Sequence, residues 1–145
     1  VEWFVALLRR WPRQVSLEDH IAAELSAMQR IQPDPWEVSD FVSATQMITL
    51  AEREPAVRTA WLMTCYRVEK QLVLVVAERL RCPVDETKTR LLAAVVTAVL
   101  RLANEELGRA LVAGWFPKDM RDVSQRMASV VSTVAVGRLG EAVRT

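Results

Sequence analysis

Leu91-Leu92-Ala93-Ala94-Val95-Val96-Thr97-Ala98-Val99-Leu100 is the stretch that decides the fold class of this chain. It carries no charge, and Thr97 is its only polar side chain, so a helix built from it is apolar almost all the way round. A helix of that kind needs neighbours on more than one side. It is too short, and too closely followed by charge at Arg101, to span a bilayer. The run lies within a longer apolar tract from Pro55 to Gly114, broken only by Cys82-Pro83-Val84-Asp85. The tract predicts two long helices back to back. The second of them serves both its own core and a further surface, most simply another subunit.

The first long helix opens at Pro55, which fits an initial turn, with Glu54 in the cap region. Val57, Trp61, Cys65, Val68, Leu72 and Val75 then recur at intervals of three and four, and the same face continues to Leu80. Asp85 is placed to cap the second helix, which weakens at Gly108 and ends near Gly114. Upstream, Trp3, Phe4, Leu7 and Leu8 fall at helical spacing and Trp11-Pro12 ends that segment. Ser16-Leu17-Glu18-Asp19 reads as an N-cap with acids in the first turn, opening a helix that carries Ile21, Leu25, Met28 and Ile31. Pro33 stops it. Asp34-Pro35-Trp36-Glu37 starts the next, which runs through Val38, Phe41, Val42, Thr45 and Ile48 to Leu50. Downstream, Trp115-Phe116-Pro117-Lys118 is a turn with two large aromatics to bury. A last helix from about Asp119 carries Met120, Val123, Met127, Val130, Val131 and Val134 in one stripe, and Gly137 and Gly140 let it fray. The result is an all-α chain of about six helices with short connections and no strand alternation.

The totals agree. A chain of 145 residues makes one domain with a sizeable core. Only 4 residues are Gly, and Ala, Leu, Val, Arg and Glu dominate, which favours helix. A net charge of +1 gives no electrostatic case for wrapping nucleic acid. Cys65 and Cys82 lack metal-ligand spacing, and a reduced, cytoplasmic setting is the plain expectation. At the amino end the basic pair Arg9-Arg10 follows the apolar run, the wrong order for export. The chain also lacks an initiator Met and begins inside a helical pattern, so a segment is expected before Val1.

Catalytic chemistry finds little to stand on. His20 is the only histidine, flanked by acids, and reads as a solvated residue on a polar face. A di-iron bundle would want repeated Glu-x-x-His spacings. No Gly-rich phosphate loop and no His-Glu-x-x-His occur. Cys82 reads as an inert loop cysteine rather than a redox-sensitive thiol. No catalytic residue, metal site or cofactor is expected, and the chain reads as a binding protein rather than an enzyme. Arg9, Arg10 and Arg13 read as a solvated helix end, where basic residues suit the helix dipole.

The helix order and several junctions resemble the C-terminal effector-binding and dimerisation domain of TetR-like transcriptional repressors. The residues that carry the resemblance start at Gln46-Met47-Ile48 and pass through Glu54-Pro55-Ala56-Val57-Arg58. They continue in Val68-Glu69-Lys70-Gln71-Leu72-Val73, Ala77-Glu78-Arg79-Leu80, Asp85-Glu86 and Arg90-Leu91-Leu92-Ala93-Ala94-Val95-Val96, covering roughly residues 41 to 107. The family's N-terminal helix-turn-helix module is absent from this chain, and Val1 would fall just after it. The resemblance implies a homodimer whose last two long helices pair as a four-helix bundle, a small-molecule effector held among the middle helices, and contact with DNA only through the missing module.

Within that frame the candidate effector residues are Trp36, Phe41, Thr45, Met47, Trp61, Cys65, Tyr66, Glu69 and Asn104. They combine adaptable apolar walls with a few polar groups able to orient a small apolar or amphipathic ligand. The bland alternative is that aromatic and Met residues at this spacing are plain core. The candidate dimer residues are Leu92, Val96, Val99 and Ala103 on the long apolar helix, with Val123, Met127, Val130, Val131 and Val134 on the last. The alternative there is purely intramolecular packing. A helical dimeric binding or adaptor domain with no DNA role is the competing functional reading.

Overall fold

The computed structural model describes the backbone of residues 2–28 and 35–133, with most of their side chains. These residues form six α-helices and no strand: α1 (Glu2–Arg9), α2 (Leu17–Met28), α3 (Pro35–Leu50), α4 (Pro55–Leu80), α5 (Thr87–Val112) and α6 (Met120–Thr133). The all-helical class expected from the sequence is what the chain adopts. The four-helix dimer arrangement implied by the resemblance is a matter of assembly between copies of the chain.

The long pair α4 and α5 forms an antiparallel hairpin, since Trp61 near the start of α4 bonds Glu105 near the end of α5. Around it, α3 packs on both helices, α6 packs on α5 and α2, and α1 packs on α4. The core joins Val5, Leu7 and Leu8 of α1, Leu17 and Ile21 of α2, and Val68, Leu72 and Val76 of α4. From α5 it takes Ala93, Val96, Val99, Leu100 and Ala103. Helix α5 is therefore walled on several sides, as its composition demands.

Helix ends show which boundary signals act. Ser16 Oγ accepts the Asp19 N–H at 3.1 Å, the expected N-cap of α2. Asp119 Oδ1 accepts the N–H groups of Arg121 and Asp122 and so caps α6. Helix α5 departs from expectation at its start. Its N-cap is Glu86, with no side-chain cap bond, and not Asp85. The reason is a turn closed by Glu86 N–H to Pro83 O at 3.2 Å, which delays the first helical residue.

Both long helices end in the same motif. At the end of α5, Trp115 N–H bonds Ala110 O, Gly114 N–H bonds Leu111 O, and Gly114 sits at φ 93°. At the end of α4, Cys82 N–H bonds Ala77 O, Arg81 N–H bonds Glu78 O, and Arg81 sits at φ 54°. This pair of hydrogen bonds closes orphan carbonyls and requires a left-handed residue, usually Gly. The second copy of it is held by an arginine.

Two polar residues lie deep where exposure was expected or unremarked. His20 is buried, not solvated, and its Nε2 lies 2.8 Å from Leu7 O, tying α2 to the end of α1. The salt bridge from Arg10 to Glu24, at 2.7 Å, repeats that tie at the surface. Arg79 is also buried. Its Nη1 donates to Trp11 O and Pro12 O, and its Nη2 to Arg13 O and Val15 O. Its guanidinium carbon stands 3.4 Å from the centre of the Trp11 ring. Burial, then the nearby Arg13 charge, lowers its pKa to about 10, so it stays protonated at neutral pH. One guanidinium thus satisfies four carbonyls of the α1–α2 loop and stacks on the aromatic that the same loop offers.

Arg79→Met should destabilise the chain by about 2–4 kcal/mol, because it removes the donor shared by those four carbonyls, of which Pro12 O and Val15 O keep one further donor each, from Val15 N–H and the Trp11 indole. Arg79→Lys should recover only part of the loss, since an ammonium has neither the fork nor the flat face. Urea unfolding of the three proteins checks both statements. Arg81→Gly should do the reverse and stabilise by about 0.5–1 kcal/mol, through relief of the left-handed backbone. A melting temperature that falls would show that the arginine is held there by contacts stronger than its strain.

Candidate functional site

Among the described residues a concave site lies where the end of α3, the first turns of α4 and the second half of α5 meet. It is a cleft of about 410 Å³ lined by Ile48, Thr49, Ala51, Glu52, Arg58, Trp61, Leu62, Arg101, Glu105 and Arg109. That volume lies within the range of small-molecule sites. Its position follows from the chain. Glu54-Pro55 breaks α3 from α4, so the two helices diverge over the side of α5 and leave a gap.

A close approach joins α3 to α5 at Thr49, one of the lining residues. A Cβ placed on Gly108 would stand 2.6 Å from Thr49 Cγ2, so α3 rests on α5 without room for any side chain between them. Gly108 reads in sequence as a weak point of the helix, whereas the structure uses its missing side chain. Thr45 is buried one turn earlier on α3, with its hydroxyl donating to Phe41 O at 2.8 Å.

The walls are more charged than the sequence suggested. Trp61 Nε1 donates to Glu105 Oε1 at 3.2 Å, and Arg101 Nη1 pairs with the same carboxylate at 3.1 Å. At the opposite rim Arg109 pairs with Glu52 at 3.5 Å and also with Glu106. Neighbouring Glu106 is the main cause that holds the Arg109 pKa above its ordinary value. Arg58 differs from these. Its Nε donates to Ala51 O at 2.9 Å and one Nη to Glu52 O at 2.8 Å, both neutral carbonyls at the end of α3.

The sequence-derived ligand residues scatter around this cleft. Trp61 lines it. Cys65, one turn along α4, is half-buried and feels the charges of Arg101 and Glu105. Burial pushes its thiol pKa up. Burial, then Glu86, does the same at Cys82. Thr45, Phe41 and Asn104 are wholly or partly buried and not among the lining residues, and Asn104 spends its amide on Leu100 O at 2.8 Å. Glu69 is half-buried outside the cleft. Met47 and Tyr66 are exposed, with the Lys70 ammonium over the Tyr66 ring at 5.1 Å. The side chain of Trp36 lies outside the described residues. Arg58, Arg101, Glu105 and Arg109 were missed. At Arg101, Glu105 and Arg109 the steps of four along α5 were the available signal, since they place three charged groups on one side of the helix directly after its apolar run.

The dimer candidates separate by helix face. Val96, Val99, Ala103 and Val123 are buried within the single chain, and Leu92 and Met127 pack against its core. The side chains of Val130 and Val131, and Val134 altogether, lie outside the described residues. What α5 leaves outward is a neighbouring stripe. Leu91 is 59% exposed and Leu102 39%, with Val95 and Ala98 half-buried between them. Phe116, expected to be buried, is exposed, while Trp115 is half-buried with Arg126 over its ring at 5.2 Å. Among the described residues no group of three or more His, Cys, Asp or Glu is placed to hold a metal ion, and no helix is long and apolar enough to cross a membrane.

Gly108→Ala should destabilise by about 1 kcal/mol, because the overpacked contact with Thr49 outweighs the helix propensity gained. Thr49→Ser removes the clashing methyl, so the pair Gly108→Ala/Thr49→Ser should unfold at or above the temperature of Thr49→Ser alone. Thermal unfolding of the four-member cycle reads this out, and simple additivity would contradict the close approach. Comparison with protein-family models, with curated proteins and with solved structures found no match.

Proposed function

We propose that this chain is the effector-binding and homodimerisation domain of a TetR-like repressor, sensing a small amphipathic molecule in the cytoplasm. The observation that carries the reading is the double duty of α5. One side of it lines the cleft with Arg101, Glu105 and Arg109, and an adjacent side offers the outward stripe Leu91, Val95, Ala98 and Leu102. A ligand in the cleft and a partner on the stripe would press on the same rigid helix. Such coupling needs only that the ligand bind one packing arrangement better than another. DNA contact in this reading belongs to a helix-turn-helix module N-terminal to Val1.

The occupant proposed for the stripe is a second copy of the chain, because the stripe is complementary to itself. Steps of four, three and four put its members on one face of the helix. Antiparallel pairing about a two-fold axis between Val95 and Ala98 brings Leu91 of one copy against Leu102 of the other. The same operation sets the exposed Lys88 near the exposed Glu106 of the second copy. Both charges therefore find opposites at the ends of an apolar seam, as an isologous interface requires.

Light scattering at micromolar concentration should give twice the 16.4 kDa chain mass. Leu91→Glu should weaken association by at least roughly 100-fold, because it desolvates an unpaired carboxylate in the seam. Its circular dichroism should remain helical, as Leu91 is exposed in the single chain. A monomeric parent chain would overturn the dimer. A dimer indifferent to Leu91→Glu would move the interface to another face.

A further inference from the structure

We infer that the cleft selects amphipathic molecules with a compact anionic head, held by Arg58, and an apolar body laid against Trp61, Ile48 and Leu62. The inference rests on the proposal that the cleft is a ligand site, and it names the ligand's chemistry. The lining holds three guanidinium groups, Arg58, Arg101 and Arg109, against two carboxylates, Glu52 and Glu105. Each carboxylate is already engaged. Glu105 serves Trp61 and Arg101, and Glu52 serves Arg109. Arg58 alone among the three is in no ion pair with a described residue, and its hydrogen bonds go only to main-chain carbonyls.

The geometry of those bonds sharpens the point. They occupy Nε and Nη2, one lateral edge of the guanidinium fork. Its terminal edge, made by the two Nη groups, keeps a pair of parallel N–H donors, the arrangement that receives a carboxylate or phosphate in two bonds. The carbonyls at the end of α3 fix the group without cancelling its charge. An anion there displaces no existing ion pair, whereas a cationic head would have to draw Glu52 or Glu105 from its partners.

The apolar part follows from the other walls. The Trp61 N–H is committed to Glu105 at 3.2 Å, which orients the indole and leaves its hydrocarbon surface for a ligand. Leu62 is 48% exposed, and Ile48 stands half-buried beside Ala51. Head and body therefore have separate seats within one cleft.

The test compares decanoate, decanol and decyltrimethylammonium, each below its micelle concentration, by quenching of tryptophan fluorescence with Trp61→Phe as the site control. Decanoate should bind roughly 5- to 20-fold more tightly than decanol, the span expected for a partly solvated charge-assisted pair. Raised ionic strength should shrink that ratio. Arg58→Gln should bring it to about one while leaving decanol binding unchanged, and Arg58→Lys should keep part of it. Retained decanol binding also reports that the variant is folded. Equal affinity of decanoate and decanol, tighter binding of the ammonium, or a ratio untouched by Arg58→Gln would overturn the anionic head while leaving the cleft a ligand site. Binding of none of the three would overturn both readings.

Discussion

Helix α5 is packed on several sides at once, and the rest of the molecule is arranged to make that possible. The apolar run over residues 91–100 offers more surface than one neighbour can cover. The stripe through Leu91 and Leu102 is what stays outward, while α3, α4 and α6 each pack on α5. They can do so because its inward residues are small where neighbours come closest. Ala93 and Ala103 are fully buried, and Gly108 lets α3 sit directly on the backbone. Val96, Val99, Leu100, Leu107 and Leu111 supply the buried bulk of the helix. Small and large residues are mixed along the seam, which lets neighbouring helices interdigitate.

The amino-terminal helices are attached by a different kind of force. Apolar residues from α1 and α2 enter the core, but their relative placement is set by polar groups. His20 holds the end of α1, and Arg79 gathers the loop that follows it. Buried polar contacts of this sort are directional, so they choose one docking geometry where a hydrophobic contact would tolerate several. Hydrophobic packing gives α4 and α5 their adhesion, while Arg79 and Trp11 specify where α1 and α2 go.

Much of this was legible in the sequence. Prolines and caps placed the starts of α2, α4 and α6, and Gly114 placed the end of α5. Other features were hidden for physical reasons. An arginine in a left-handed turn has no residue-type signal, so Arg81 could not be read as Gly114 could. His20 and Arg79 look solvent-facing by type, and only the carbonyls brought near them in the fold, Leu7 O of α1 for one and those of the α1–α2 loop for the other, make burial tolerable. The outward stripe of α5 lay about a quarter turn from the residues first assigned to a partner. On a helix apolar all round, periodicity cannot say which side faces out. The cleft was legible at Trp61, but its arginines and glutamates resemble ordinary surface charge until three helices converge on them.

The contact between Gly108 and Thr49 also governs how the cleft can change shape. The α5 backbone at Gly108 already meets the Thr49 methyl, so the two helices cannot approach further there, and Thr49 itself lines the cleft. The junction of α3 and α5 is therefore a fixed joint at one side of the cleft. The opening turn of α4 is tied to the same plate, because Arg58 bonds Ala51 O and Glu52 O at the end of α3. The seat of Arg58 therefore stays with α3 rather than following the rest of α4. The head-group end of the cleft is set in place before any ligand arrives, so little ordering is left to be done on binding.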